Sequence, residues 1–146
     1  MPIQQLEPKP AKDAMDAAGN ATYVDVRTEG EFAQGHPEGA INIPVAQSGP
    51  GGMAPNPDFL KVATEVLKEK DHPIFCGCQM GGRSQMAATL LEQSGYTNLA
   101  NVQGGFGGKV ENGVMMISGW RDSGLPVETD VNDENSYVSL KAKAGL

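Results

Sequence analysis

Cys78-Gln79-Met80-Gly81-Gly82-Arg83-Ser84 sits between two stretches of opposite periodicity. Before it, Pro73-Ile74-Phe75 is a short apolar run that reads as a buried strand. After it, Met86, Leu90 and Leu91 recur at helical spacing around a compact Ala-Ala-Thr, which predicts a helix. A thiol is thus set where a strand passes into a helix. Gly81 and Gly82 let the backbone turn tightly and aim N–H groups inward, an anion-binding nest. The positive end of the following helix and the cation of Arg83 add to that field. Such surroundings favour thiolate over thiol, and thiolate is the reactive form. Cys78 is therefore the candidate nucleophile, and Gln79, Met80, Gly81, Gly82, Arg83 and Ser84 are the candidate substrate-binding residues.

Outward from this loop the chain alternates. Ile3 to Leu6 reads as a strand, and Pro8 opens a helix with Ala11, Met15 and Ala18 inward that Gly19-Asn20 stops. Tyr23-Val24-Asp25-Val26 is a buried strand ending at Arg27. Thr28 and Glu31 have capping-box spacing for a short helix that holds Phe32 and ends at Gly35. His36 to Gly39 forms a turn, and Ala40 to Pro44 a further strand. Residues 46–57, rich in Gly, Pro, Ser and Asn, read as a loop of functional or mobile length. Asp58 to Lys70 is amphipathic, with Phe59, Val62, Val66 and Leu67 on one face. Downstream of the cysteine helix, Asn98 to Val102 is a strand, followed by Gly104-Gly105-Phe106-Gly107-Gly108. Strands alternating with helices predict an α/β fold with a parallel sheet covered on both faces. Ligands in such sheets sit beyond the carboxyl ends of the strands, where Cys78 falls.

The whole chain, 146 residues with 39% hydrophobic and 20% charged residues, is sized for one domain with a real core. A net charge of −7 and the lack of any Lys/Arg run argue against nucleic-acid and membrane-surface partners. No apolar run approaches the ~18 residues of a membrane span. The N-terminus carries no basic-then-apolar signal pattern, so a cytoplasmic, reducing location is expected. Cys76 and Cys78 are too close in sequence for a disulfide scaffold. The histidines and cysteines lack zinc-ligand spacing, so no metal is expected. His36 reads as a hydrogen-bonded turn residue and His72 as surface.

Taken together, Tyr-Val-Asp-Val-Arg (23–27) with Glu31-Phe32, Gly35-His36, Gly39 to Pro44, the Cys78–Ser84 loop, Gly95-Tyr96, Gly104-Gly105 and Trp120…Gly124-Leu125-Pro126 resemble the rhodanese family of sulfurtransferases. The resemblance spans residues 1–128 and is nearest to the single-domain members. It implies a three-layer α/β fold with a central parallel sheet of about five strands and helices on both faces. It further implies a persulfide at Cys78 and no metal or organic cofactor. Sulfur would come from thiosulfate, a polysulfide or a persulfide. It would leave to cyanide, a thiol or a thioredoxin-like protein. Gln79 and Met80 are expected at the rim, influencing donor choice, while Arg83 attracts an anionic donor. The alternatives are a phosphatase or arsenate reductase of the same fold, which resemble Cys-x₅-Arg rather than the Cys-x₄-Arg found here, and a non-catalytic rhodanese-like binding module.

Three features depart from compact relatives. Cys76 shares a strand face with Cys78, so it is either sheet filler or a thiol that resolves an oxidised Cys78. Residues 107–118 are inserted before Gly119-Trp120, with the Asn112-Gly113 signature of a type I′ hairpin, and are expected to lean toward Cys78 and bear on acceptor choice. Met115, Met116 and Ile117 would there offer an apolar surface or pack into the core. Residues 129–146 read as an acidic, polar tail, either an arm on a neighbouring subunit of a homodimer or disordered.

Overall fold

The computed structural model describes residues 3–146. In chain order, β1 (Gln4–Leu6), α1 (Pro8–Ala18), β2 (Thr22–Asp25), α2 (Glu29–Gln34), β3 (His36–Pro37), β4 (Ile41–Asn42), β5 (Ala46–Gly49), β6 (Gly52–Pro55) and α3 (Phe59–Val66) precede the cysteine loop. Then come β7 (Ile74–Gly77), α4 (Gly82–Gln93), β8 (Leu99–Val102), β9 (Lys109–Glu111), β10 (Val114–Ile117), β11 (Val127–Glu128) and α5 (Tyr137–Lys143).

Five strands form one sheet in the order β1-β8-β7-β2-β4, every neighbouring pair parallel. The central strands β7 and β8 are buried at every position because both faces of the sheet are covered there. Side chains alternate between two cores. Val24, Ile74, Cys76, Cys78 and Leu99 face one, together with Phe59 and Val62 of α3, Leu91 of α4 and Leu140 of α5. Tyr23, Phe75, Ala100 and Val102 face the other, with Ala11 of α1, Phe32 of α2 and the buried Trp120. Trp120 is held by its indole N–H, which donates to the Pro126 carbonyl (2.8 Å). The strand order reverses direction around β2 and β7, so the end of β7 lies at the crevice where such sheets bind ligands.

Four segments differ from the sequence expectations, the first being residues 36–39, expected as a turn, which open with the two-residue strand β3. Residues 46–57, expected as a loop, contain the antiparallel pair β5 and β6. The helix expected over 58–70 closes earlier, with α3 ending at Val66. The C-terminal segment is neither an arm nor disordered: β11 pairs with β3, and α5 folds back on α3. Tyr137, Leu140 and Ala144 are buried there, and Asn56 donates to the Tyr137 hydroxyl (2.9 Å). The Asn-Gly hairpin is present as β9 and β10, with φ of 52° at Asn112 and 78° at Gly113, the pair of positive values a type I′ turn requires.

Candidate active site

β7 delivers Cys78 to the carboxyl edge of the sheet, and α4 begins four residues later. Gly81 makes the turn between them at φ 118°, a conformation that L side chains rarely adopt. Its N–H is thereby aimed at the Cys78 sulfur, which it meets at 3.0 Å. The first N–H groups of α4 have no partner inside the helix, and Gln85 is the first tied back, to the Gly81 carbonyl (3.2 Å). Ser84 is buried beside the thiol, 3.4 Å from Sγ. Its single proton also faces the Asn101 amide oxygen at 2.5 Å and the Gly81 carbonyl at 3.1 Å. Asn101 is oriented in turn because its amide N–H donates to Gln5 (2.9 Å). Cys78 itself is only 2% exposed. It nevertheless lines a cavity of about 510 Å³ whose wall also includes Gln79 to Arg83, Asn101, Gln103, Gly104, Lys109 and Ile117.

Two ion pairs brace the loop. Asp25 and Arg27, both buried, share a multidentate contact (2.7–3.1 Å). The Arg27 guanidinium then donates to Gly35 (2.6 Å) and to the Gln79 side chain (3.2 Å) and lies over the Phe106 ring. Glu31 receives both arms of Arg83 at 2.8 and 3.0 Å. It closes the α2 capping box as well, accepting from the Thr28 N–H (3.2 Å). The Arg83 hydrogen bonds, outweighing burial, hold the Glu31 carboxyl down at about 2, against an ordinary 4.5. A depressed carboxylate contributes stability that is fully present above its unfolded value and lost as pH falls through the folded one. Acid unfolding should therefore show wild type losing ground to Glu31→Gln between about pH 4.5 and 2, with the two curves converging at the acid end. Parallel curves would mean that the pair contributes nothing. Both groups are part-exposed, so solvent screening keeps the effect small.

Comparison with known proteins bears directly on this loop. Residues 7–110 match the rhodanese-like domain. The chain belongs to the rhodanese family. It is 45% identical over 106 residues to thiosulfate sulfurtransferase 16, chloroplastic, of Arabidopsis thaliana, covering 73% of this chain and 78% of that one. It is 31% identical over 129 residues to the thiosulfate sulfurtransferase GlpE of Haemophilus influenzae, covering 88% and 98%. Among solved structures, the crystal structure of Rv0390 from M. tuberculosis superposes with a TM-score of 0.73 at 28% identity, covering 89% of this chain and all of that one. The function is that of a rhodanese-family sulfurtransferase.

Within this rhodanese domain the loop residues divide. Met80 lines the cavity and is half-exposed. Gln79 does not stand free there: its side chain turns back to Arg27 and lies against Gly107. Arg83 lines the cavity, but its charge is taken up by Glu31, so it is not the free anion-attracting cation expected. Glu31 pairs with Arg83 and not with the Asp25–Arg27 couple. Cys76 is fully buried, and burial first, then its neighbour Cys78, pushes its thiol up to about 12. It stays a thiol, which suits sheet filler and not a resolving nucleophile. His36 is buried, donates from Nδ1 to the Phe32 carbonyl (2.7 Å) and stacks on the Phe32 ring. Its Nε2 lies 3.3 Å from Glu128 without the alignment of a hydrogen bond. His72, expected at the surface, is half-buried, with Nε2 2.8 Å from the Thr22 hydroxyl.

The site also draws on the glycine run after β8 and on the inserted hairpin, to which the sequence assigned no contact with the loop backbone. The chain leaving β8 runs across the Cys78 loop: Phe106 N–H donates to the Cys78 carbonyl (2.7 Å) and Gly107 N–H to the Gln79 carbonyl (3.0 Å). Gly105, at φ 55°, lies so close that any Cβ would collide with the Cys78 carbonyl. The inserted hairpin then brings Lys109 and Ile117 to the cavity wall, while Val110, Val114, Met115 and Met116 stay exposed and out of the core. Among the described residues, no group of three His, Cys, Asp or Glu side chains is gathered as a metal site, and no helix is long and apolar enough to cross a membrane.

Proposed function

We propose that the protein moves a sulfane sulfur from thiosulfate, or from a polysulfide or persulfide, to a thiol or cyanide acceptor through a persulfide on Cys78. The observation that carries the reading is the Gly81 N–H on the Cys78 sulfur at the wall of an open cavity. The thiolate attacks the outer sulfur of thiosulfate. A new S–S bond forms at Cys78, the S–S bond of thiosulfate breaks, and sulfite leaves with its electron pair. The terminal persulfide anion then lies beyond Sγ, where N–H groups of the Gln79 to Ser84 loop and the first turn of α4 can hold it. An acceptor nucleophile takes that terminal sulfur and returns the thiolate. In a cell the acceptor is a small thiol or a thioredoxin-like protein, and a reducing compartment such as the cytoplasm suits both.

The phosphatase or arsenate reductase reading is weaker on physical grounds. A tetrahedral oxyanion needs the loop arginine, and here Glu31 occupies both of its arms. A purely docking module has no use for a cysteine that accepts a backbone N–H beside a cavity. Covalent transfer in two steps predicts ping-pong kinetics. Initial rates of thiocyanate formation, with thiosulfate and cyanide varied together, should give parallel double-reciprocal lines. Lines that converge would mean that both substrates must be bound at once, and the persulfide step would be wrong.

A further inference from the structure

We propose that Lys109, carried to the cavity by the inserted hairpin, is the cation that receives the anionic oxygens of the sulfur donor. It then follows the departing sulfite. The inference rests on the transfer reading above and concerns which donor the site prefers.

Thiosulfate enters with two negative charges and sulfite leaves with two, beside a sulfur that is itself anionic. Such a step needs positive charge at the oxygens, beyond the nest that serves the sulfur. Arg83, the cation in the loop, is held by both arms on Glu31. Arg27 is 3% exposed, spent on Asp25 and Gly35, and separated from the cavity by the Gln79 side chain that it holds. Lys109 lines the same cavity as Cys78. Among the described residues it pairs with Glu111 at 3.3 Å, the two side chains 48% and 53% exposed. Residues two apart on a strand share a face, which brings this pair together. Exposed pairs of this kind bind weakly and exchange readily. An ammonium on a flexible stem can leave Glu111 for a dianion and track it as it moves away. No bond is made or broken at Lys109; its part is electrostatic.

The test compares two donors of the same sulfane sulfur that differ in charge, thiosulfate (dianion) and methanethiosulfonate (monoanion, leaving as methanesulfinate). The quantity read is kcat/KM for loading sulfur onto Cys78. Lys109→Met should lose about 10-fold with thiosulfate but only about 3-fold with methanethiosulfonate, as expected for a charge-assisted contact at a part-exposed site. Lys109→Arg should restore most of the thiosulfate rate. Glu111→Gln should raise it by about 2-fold, because the competing carboxylate is gone. A merely structural lysine would not give that opposite sign. The proposal is overturned if Lys109→Met leaves the ratio between donors unchanged, or if Lys109→Arg behaves like Lys109→Met. If wild type itself takes up no sulfur from either donor, the transfer reading falls and this proposal with it.

Discussion

Asp25→Ala is expected to lower stability by about 3–5 kcal/mol, because it leaves a buried guanidinium without its counter-charge. Asp25 is 1% exposed and Arg27 3%. The carboxylate accepts from Nε, from Nη2 and from the Arg27 backbone N–H, all at 2.7–3.1 Å. The Gly35 carbonyl, the Gln79 amide oxygen and the Phe106 face remain after the substitution, but none of them carries charge. Deleting one partner of such a pair costs far more than the intact pair contributes, since desolvation of the survivor is no longer offset. Asp25→Asn, which keeps one acceptor, should lie between. Urea unfolding reads this as a lower midpoint at unchanged slope. A loss below about 1 kcal/mol would mean that water or a rearranged Arg27 already solvates the site. The same substitution takes its carboxylate anchor from Arg27, which orients Gln79 next to Cys78, so sulfur loading should suffer even at temperatures where the variant is folded.

Cys78→Ser is expected to reduce sulfur transfer by at least about 10³-fold while leaving the fold intact. The exchange alters one atom at a site where the Gly81 N–H can donate to oxygen as readily as to sulfur. Serine is protonated at neutral pH, and its oxygen forms no counterpart of the persulfide. Thiocyanate production from thiosulfate and cyanide measures the loss, and far-ultraviolet circular dichroism checks that the fold survives. Residual activity within 10-fold of wild type would remove Cys78 from the chemistry.

Much of the sheet was legible because its central strands β2, β7 and β8 are buried on both sides and separated by helix punctuation. Pro8 at a helix start, the Thr28–Glu31 capping box and the Asn112-Gly113 turn are local chemistry, and each is found where local rules put it. The cysteine loop was legible for the same reason, since strand, glycines and helix are contiguous. What stayed hidden depends on distance in sequence. Glu31 is 52 residues from Arg83, and nothing in a capping box announces a second partner. The lean of the inserted hairpin toward Cys78 was expected from its place after the sheet's carboxyl edge, but which of its side chains line the cavity, Lys109 and Ile117, depends on how β8 sets it beside β7. The pairing of β5 with β6 is carried by backbone hydrogen bonds between residues that, Met53 apart, are small, polar or proline, which leave no apolar alternation to read. In the C-terminal segment, Tyr137, Leu140 and Ala144 have the spacing of a buried helix face, but the acidic residues before them set the expectation.

Intact-protein mass spectrometry after brief exposure to thiosulfate, with free donor removed, tests the Cys78 persulfide most directly. Wild type should gain the mass of a single sulfur atom and lose it on addition of cyanide, and Cys78→Ser should gain nothing. No added sulfur in wild type, or an equal gain in Cys78→Ser, would contradict it.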